Sequence, residues 1–222
     1  MNEKIKDQLK NAIIGGNTEV LLKNIDKIIR SKKEDPLKIL QDAMIPAIRN
    51  VGDMFGRGEI FLPEMLMAAE TFQSGMKVIE PKLIASGRRI EKIGKVVFGT
   101  VLNDIHEIGK NIVITLMRTH GFEVYDIGAN VSPITFVEKA KDVGADIIAM
   151  SALMTTTMTY QKDVIDYLRE EGERDKYIIL VGGGPVDNEW AEKIGADGTS
   201  DTAPGAVELA ERLILERKRE AR

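Results

Sequence analysis

The stretch Val96-Val97-Phe98-Gly99-Thr100-Val101-Leu102-Asn103-Asp104-Ile105-His106-Glu107-Ile108-Gly109-Lys110-Asn111 decides the reading of this chain. It opens on a short apolar run, passes through a charged loop and leads into a helical pattern. Three more runs follow, Val124-Tyr125-Asp126-Ile127, Ile147-Ile148-Ala149-Met150 and Ile178-Ile179-Leu180-Val181, with a weaker one at Ala196-Asp197-Gly198. Runs that are apolar without alternation are buried on both faces, and strands separated by helical segments pair in parallel. The expectation over residues 89–222 is a doubly wound α/β domain with a five-stranded parallel sheet.

Upstream the period changes to that of helices. Ile5, Leu9, Ala12 and Ile13 mark a first helix that stops at Gly15-Gly16. Asn17 or Thr18 can cap a second, whose face holds Val20, Leu21, Ile25, Ile28 and Ile29. Asp35-Pro36 opens a third, with an acidic cap and proline at the first helical position. Leu62, Met65, Ala69, Phe72, Met76, Ile79 and Leu83 form the seam of a fourth. Four helices with short turns make an antiparallel bundle over residues 1–88. Ala85 to Gly94 is small, charged or glycine and reads as a linker. Glu216 to Arg222, of mixed sign, reads as a solvated helix end.

Composition removes several classes of function. The 222 residues are 43% hydrophobic and 30% charged, ordinary for a globular chain. There is no cysteine, so there is no disulfide frame, thiolate metal site or cysteine nucleophile. With two histidines, His106 and His120, a zinc site of three or four protein ligands is not expected. The net charge of −4 gives no pull toward nucleic acid or an anionic membrane. Neither a membrane-spanning stretch nor an N-terminal signal core is visible, and a cytoplasmic location is the simplest expectation.

In open parallel sheets ligands bind beyond the carboxyl ends of the strands. Three loops would converge there: Thr100 to Asn111, the hydroxyl-rich Ser151 to Thr157, and Gly182-Gly183-Gly184-Pro185. No P-loop or dinucleotide fingerprint is present, and Ser151 stands where a phosphoacceptor receiver would need aspartate. Asp104 and His106 admit two readings. The aspartate can accept one imidazole N–H and aim the other nitrogen outward, as behind a metal-ligating histidine. Alternatively Asp104 caps the following helix and His106 is a surface residue. A single histidine holds a metal well only when a macrocycle supplies the remaining ligands, and Gly109 would let such a group approach the backbone. His120, before Gly121 at a helix end, suits the helix dipole.

Asp104-x-His106-x-x-Gly109, followed by Ser151-x-Leu153 and Gly182-Gly183, resembles the corrinoid-binding signature of methionine synthase and the methyl-carrying corrinoid proteins. Val51-Gly52-Asp53-Met54-Phe55 and Glu59-Ile60-Phe61-Leu62-Pro63-Glu64 are similar to the turn of that family's helical cap. Ser151 to Thr156, Gln161-Lys162-Asp163, Gly182 to Val186 and Trp190 look closest to the methylamine and quaternary-amine corrinoid proteins. The resemblance implies a four-helix bundle cap followed by a Rossmann-like, flavodoxin-like five-stranded domain. It implies cobalamin or a related corrinoid bound base-off, with His106 as the lower cobalt ligand. Asp104 and Thr157, where the family usually has serine, would complete a proton relay with His106. Ile105, Gly109, Ser151, Leu153, Thr155, Gly182 and Gly183 would contact the cofactor and its tail. Phe55 and Leu62 would cover its upper face.

The same resemblance implies a methyl shuttle more than a complete enzyme. One substrate:corrinoid methyltransferase would deliver a methyl group from a methylated amine or similar one-carbon donor. An acceptor methyltransferase would pass it to a thiol or a tetrahydrofolate-type pterin, and a reductive activator protein would restore the cobalt. For a partner to reach the metal, the bundle would swing about Ala85 to Lys95, a hinge motion. The rival reading is a corrinoid-binding sensor, which usually carries an added DNA-binding region.

Overall fold

The computed structural model describes residues 2–31, 35–86 and 92–220. The described residues of the first 91 positions form one compact unit, and those of positions 92–222 form a second. The expected domain boundary at 88/89 and residues 87–91 of the expected linker and hinge lie outside the described residues, as do Ala221 and Arg222 of the expected C-terminal helix end.

The first unit is helical. Helix α1 spans Glu3–Ile14 and α2 spans Thr18–Ser31. Asn17 caps α2 by accepting from the Val20 amide at 3.0 Å. Asp35 accepts from the Leu37 amide at 2.9 Å, and Pro36 begins α3, Pro36–Ile39, as the sequence predicts. A π-helical turn, Leu40–Met44, then carries the chain without a break into α4, Ile45–Gly56. Helix α5 is Leu62–Ala85. Its buried line is Met65, Ala68, Ala69, Thr71, Gly75, Ile79 and Leu83, while Phe72 and Met76 of the expected seam are half-buried. Small residues fill the middle because α2 and the π turn press closely: a Cβ on Gly75 would stand 2.6 Å from Met44 Cε and 3.0 Å from Leu21 Cδ2.

The second unit is a parallel sheet with helices on both faces. Strands β1 (Lys95–Thr100), β2 (Glu123–Asp126), β3 (Ile147–Ser151) and β4 (Ile178–Gly182) lie in the order β2-β1-β3-β4. Helices α6 (Ile108–Thr119), α7 (Pro133–Val143), α8 (Thr159–Glu170), α9 (Asn188–Ile194) and α10 (Ala203–Glu220) surround it. Val97, Ile148, Ile179 and Val181 pack toward Phe136, Val164, Ile165 and Leu168 on the α7–α8 face. Helices α6 and α10 cover the other face.

The expected five strands are four among the described residues. The weak run at 196–198 makes a single bridge, Leu180 to Gly198. Three residues ending in glycine are too short to extend a ladder, and a side chain intervenes: Asp197 Oδ2 accepts the Ile179 amide at 2.6 Å. Among the described residues, no helix is long and apolar enough to cross a membrane.

Candidate functional site

The strand order reverses direction at β1 and β3, whose following loops lead to helices on opposite faces. The crevice at such a switch point is where open α/β sheets bind ligands. Asp104 stitches the two loops together across it.

The Asp104 side chain is fully buried. Oδ1 accepts the His106 backbone amide at 3.0 Å and lies 2.7 Å from His106 Nδ1. Oδ2 accepts the Leu153 amide at 2.8 Å and the Thr157 hydroxyl at 2.7 Å. Burial alone would push this carboxyl up. Bonds from the Thr157 hydroxyl, the His106 and Leu153 amides and the His106 ring outweigh it and hold the group well below the usual carboxylate range. The aspartate is therefore ionised and engages His106 at Nδ1, so Nε2 is the ring nitrogen that Asp104 leaves unengaged, on a side chain that is 46% exposed. This is the arrangement behind a ligating histidine. The alternative role for Asp104, capping α6, is not seen: Glu107 occupies the cap position.

The loop that presents the pair is braced at several points. Thr100 Oγ1 donates to the His106 carbonyl at 3.0 Å, and the Asn130 amide donates to the Asp104 carbonyl at 2.9 Å. Asn103 sits in the left-handed region at φ 61°, a conformation asparagine tolerates better than most residues. Its amide donates to Asn130 Oδ1 at 2.8 Å and its side chain donates to Tyr160 Oη at 2.8 Å. Behind the loop, the buried Lys110 ammonium pairs with Asp126 and, at 3.0 Å, with Glu107.

Beside His106 a cavity of about 650 Å³ opens between the sheet and helices α6 and α10. That is within the range of small-molecule sites, roughly 300–1,000 Å³. Its floor is apolar, from Phe98, Ala149, Leu180 and Met117, and Ser200 to Ala203 close one end at the start of α10. Glycines supply space along its wall. A Cβ on Gly109 or Gly182 would meet nothing within 4 Å. Gly183 is different: it adopts φ 128°, and a Cβ there would stand 1.8 Å from the Ala152 carbonyl oxygen.

Of the residues singled out in the sequence, Ile105, His106, Gly109, Ser151, Leu153, Gly182 and Gly183 line this cavity. Asp104 and Thr157 lie behind it as the hydrogen-bonded support of His106. Thr155 is exposed on the turn after β3 and is not among the lining residues. Phe55 and Leu62 belong to the first unit, half-buried at the end of α4 and the start of α5. His120 ends α6 and places Nδ1 2.9 Å from the Leu116 carbonyl oxygen. The sequence places Thr100 and Lys110 in the first of the converging loops without a role for either, and it does not mark the Ser200–Thr202 rim. The rim follows the weak run at 196–198, so the rule that pointed to the other three loops also reaches it.

The chain is similar to known proteins over nearly its whole length. A family model described as B12 binding domain matches residues 94–208, and a second so described matches residues 5–80. A corrinoid protein of Desulfitobacterium hafniense is 43% identical over 209 residues, covering 94% of this chain and 96% of its own. Dimethylamine corrinoid protein 2 of Methanosarcina acetivorans is 41% identical over 213 residues, covering 96% and 97%. Among solved structures, a chain of the methanol:cobalamin methyltransferase complex MtaBC from Methanosarcina barkeri superposes with a TM-score of 0.88 at 28% identity, covering 97% of this chain and 81% of that one. A cobalamin-binding protein from D. hafniense superposes at 0.71 with 28% identity, covering 93% and 97%.

Proposed function

This chain belongs to the B12-binding corrinoid proteins of methyltransferase systems, and from that membership we propose that it binds a corrinoid through His106 and carries a methyl group between two partner enzymes. The observation that carries the reading is the four-donor shell of Asp104, which fixes the His106 ring and leaves Nε2 free beside the cavity. The residues fit such a group. One imidazole nitrogen is available, the cavity is apolar and of small-molecule size, and Gly109 and Gly182 leave open space where a side chain would project.

Bound there, the corrinoid supplies a cobalt that takes up and gives up a methyl group. The protein's part is positional. His106 would hold the cobalt, and Asp104, 2.7 Å from Nδ1, would orient the ring. The Asp104 carboxylate, itself held by the Thr157 hydroxyl, would keep the ring in place whether or not His106 is engaged. Ile105, Ser151, Leu153, Gly182 and Gly183 accommodate the corrin edge and the displaced tail, and Thr155 approaches from the same loop. To Phe55 and Leu62 of the first unit we assign a contact with the bound corrinoid, and residues 1–88 would then act as a cap that must move to admit a partner. Crosslinking the two units should block methyl transfer without expelling corrinoid; full activity in the crosslinked protein would remove the cap motion.

The methyl donor we favour is a methylated amine, because relatives named for dimethylamine align over nearly the whole chain at 41–42% identity. A substrate methyltransferase presents that donor. A second methyltransferase passes the group to a thiol or a tetrahydrofolate-type pterin, a reductive activator restores the metal, and the system works in the cytoplasm.

The test is direct. Apoprotein is incubated with hydroxocobalamin and freed of excess by gel filtration, and its absorption spectrum is compared with that of His106→Ala. Stoichiometric corrinoid with a His106-dependent spectrum is expected. A colourless protein, or a spectrum unchanged in the variant, would overturn the assignment of His106.

A further inference from the structure

Gln161, in the first turn of α8, is fully buried yet does not line the cavity. Its Nε2 donates to the Met150 carbonyl at 3.2 Å and to the Gly182 carbonyl at 3.1 Å. Its Oε1 accepts from Trp190 Nε1 at 2.9 Å. The chemistry leaves one orientation for this amide: carbonyls only accept and an indole N–H only donates. Trp190 therefore acts as a lock that keeps the amide nitrogen turned toward two strand ends.

Those strand ends are walls of the cavity. Met150 and Gly182 stand at the carboxyl ends of β3 and β4, and both line it. The Gly182 carbonyl also accepts from the Ala152 amide at 2.9 Å. The next residue, Gly183, lies so close to the Ala152 carbonyl that no side chain fits between them. The ends of β3 and β4 are neighbours in the ladder, Met150 beside Val181 and Ser151 beside Gly182, and where the ladder stops they are braced by backbone contact at Gly183 and by one side chain, Gln161, reaching from the opposite face of the sheet. Trp190 packs on that same opposite face with the α7–α8 core.

We propose that Gln161, locked by Trp190, is a positioning residue that braces the paired ends of β3 and β4 where the ladder stops and so fits the cavity to the nucleotide tail of the corrinoid. This rests on the reading that the displaced tail enters the cavity. It goes beyond that reading by naming a residue that touches no cofactor and yet governs discrimination between corrinoids with and without a tail.

The experiment titrates apoprotein with cobalamin and with cobinamide, which lacks the nucleotide tail. It compares wild type, Gln161→Met and Trp190→Phe. Wild type is expected to bind cobalamin more tightly than cobinamide. Each variant should weaken cobalamin about tenfold, the loss expected when a buried amide's bonds are removed, and leave cobinamide within about twofold. Trp190→Phe keeps the ring and deletes one N–H, so it carries the test if Gln161→Met fails to fold. Equal losses for both corrinoids, or no loss for either, would overturn the positioning role while leaving the tail reading intact. Wild type that binds the two corrinoids equally would overturn the tail reading itself, and the positioning role with it.

Discussion

The loop after β1 and the loop after β4 meet at one cavity, yet they are built by opposite means. Residues 103–109 are held by added bonds: a buried carboxylate with four donors, two asparagines joined to one another, a hydroxyl on the His106 carbonyl. Residues 182–184 are held by what is missing. At Gly183 the backbone passes where no side chain fits, and at Gly182 a Cβ would meet empty space. The contrast shows how one site combines precision with room. The polar loop aims a single nitrogen, and a glycine wall leaves volume for something large.

The largest expected effect tests the wall. Gly183→Ala forces a left-handed alanine against the Ala152 carbonyl. Strain and overpacking together should destabilise the apoprotein by about 2–5 kcal/mol, read from denaturant unfolding. An apoprotein of unchanged stability would show that the wall yields.

Asp104→Asn follows. It places an amide N–H₂ among donors and removes the charge, at a cost of about 1–3 kcal/mol. The same residue gives a pH signature. The folded-state pKa of Asp104 is depressed, so its stabilisation is complete above the unfolded value of about 3.9. It is lost as pH falls through that value toward the lower folded one. Apoprotein melting temperatures measured from pH 6 down to pH 3 should therefore fall less steeply in Asp104→Asn than in wild type. Parallel curves would mean that other carboxylates dominate acid unfolding.

Thr157→Val deletes one donor to the carboxylate and should cost about 1–2 kcal/mol, whereas Thr157→Ser keeps the hydroxyl and should cost less. Equal losses in the two would assign the role of Thr157 to its methyl group. The smallest effect sharpens the contrast between fixed and open glycines. Gly109→Ala, in the first turn of α6 with open space around it, should leave the apoprotein equally stable or firmer by about 0.5–1 kcal/mol while lowering corrinoid retention. Unaltered retention would remove Gly109 from the cofactor contacts.

These residues also show what a linear reading reaches. The runs at 96–98, 147–150 and 178–181 announced β1, β3 and β4, because strands buried on both faces need no alternation. The run at 196–198 misled: it satisfies the edge of β4 with one bridge and the Asp197 carboxylate in place of a strand. Asp104 and His106 were visible as a pair, but spacing alone left open whether Asp104 capped a helix. The answer came from Leu153 and Thr157, 49 and 53 residues away in sequence. Lys110 lies in the first loop and Gln161 in a stretch that carries the resemblance, but nothing local assigns either a role, since Asp126, Met150 and Gly182 lie on other strands. The expected seam of α5 is buried at Met65, Ala69, Ile79 and Leu83, but in its middle the bundle uses Ala68, Thr71 and Gly75 in place of Phe72 and Met76, because how closely neighbouring helices approach is a tertiary quantity.

The 53-residue span between Asp104 and Thr157 has a consequence for how the protein is made. A ribosome delivers the aspartate first and the hydroxyl that helps hold it dozens of codons later. Until β3 and the turn behind it have emerged and docked, the carboxylate has only its near neighbours and water for company. The full donor set of Asp104 is thus a late event in the life of each new chain, and a nascent polypeptide halted before Thr157 would present His106 with one of those four donors missing.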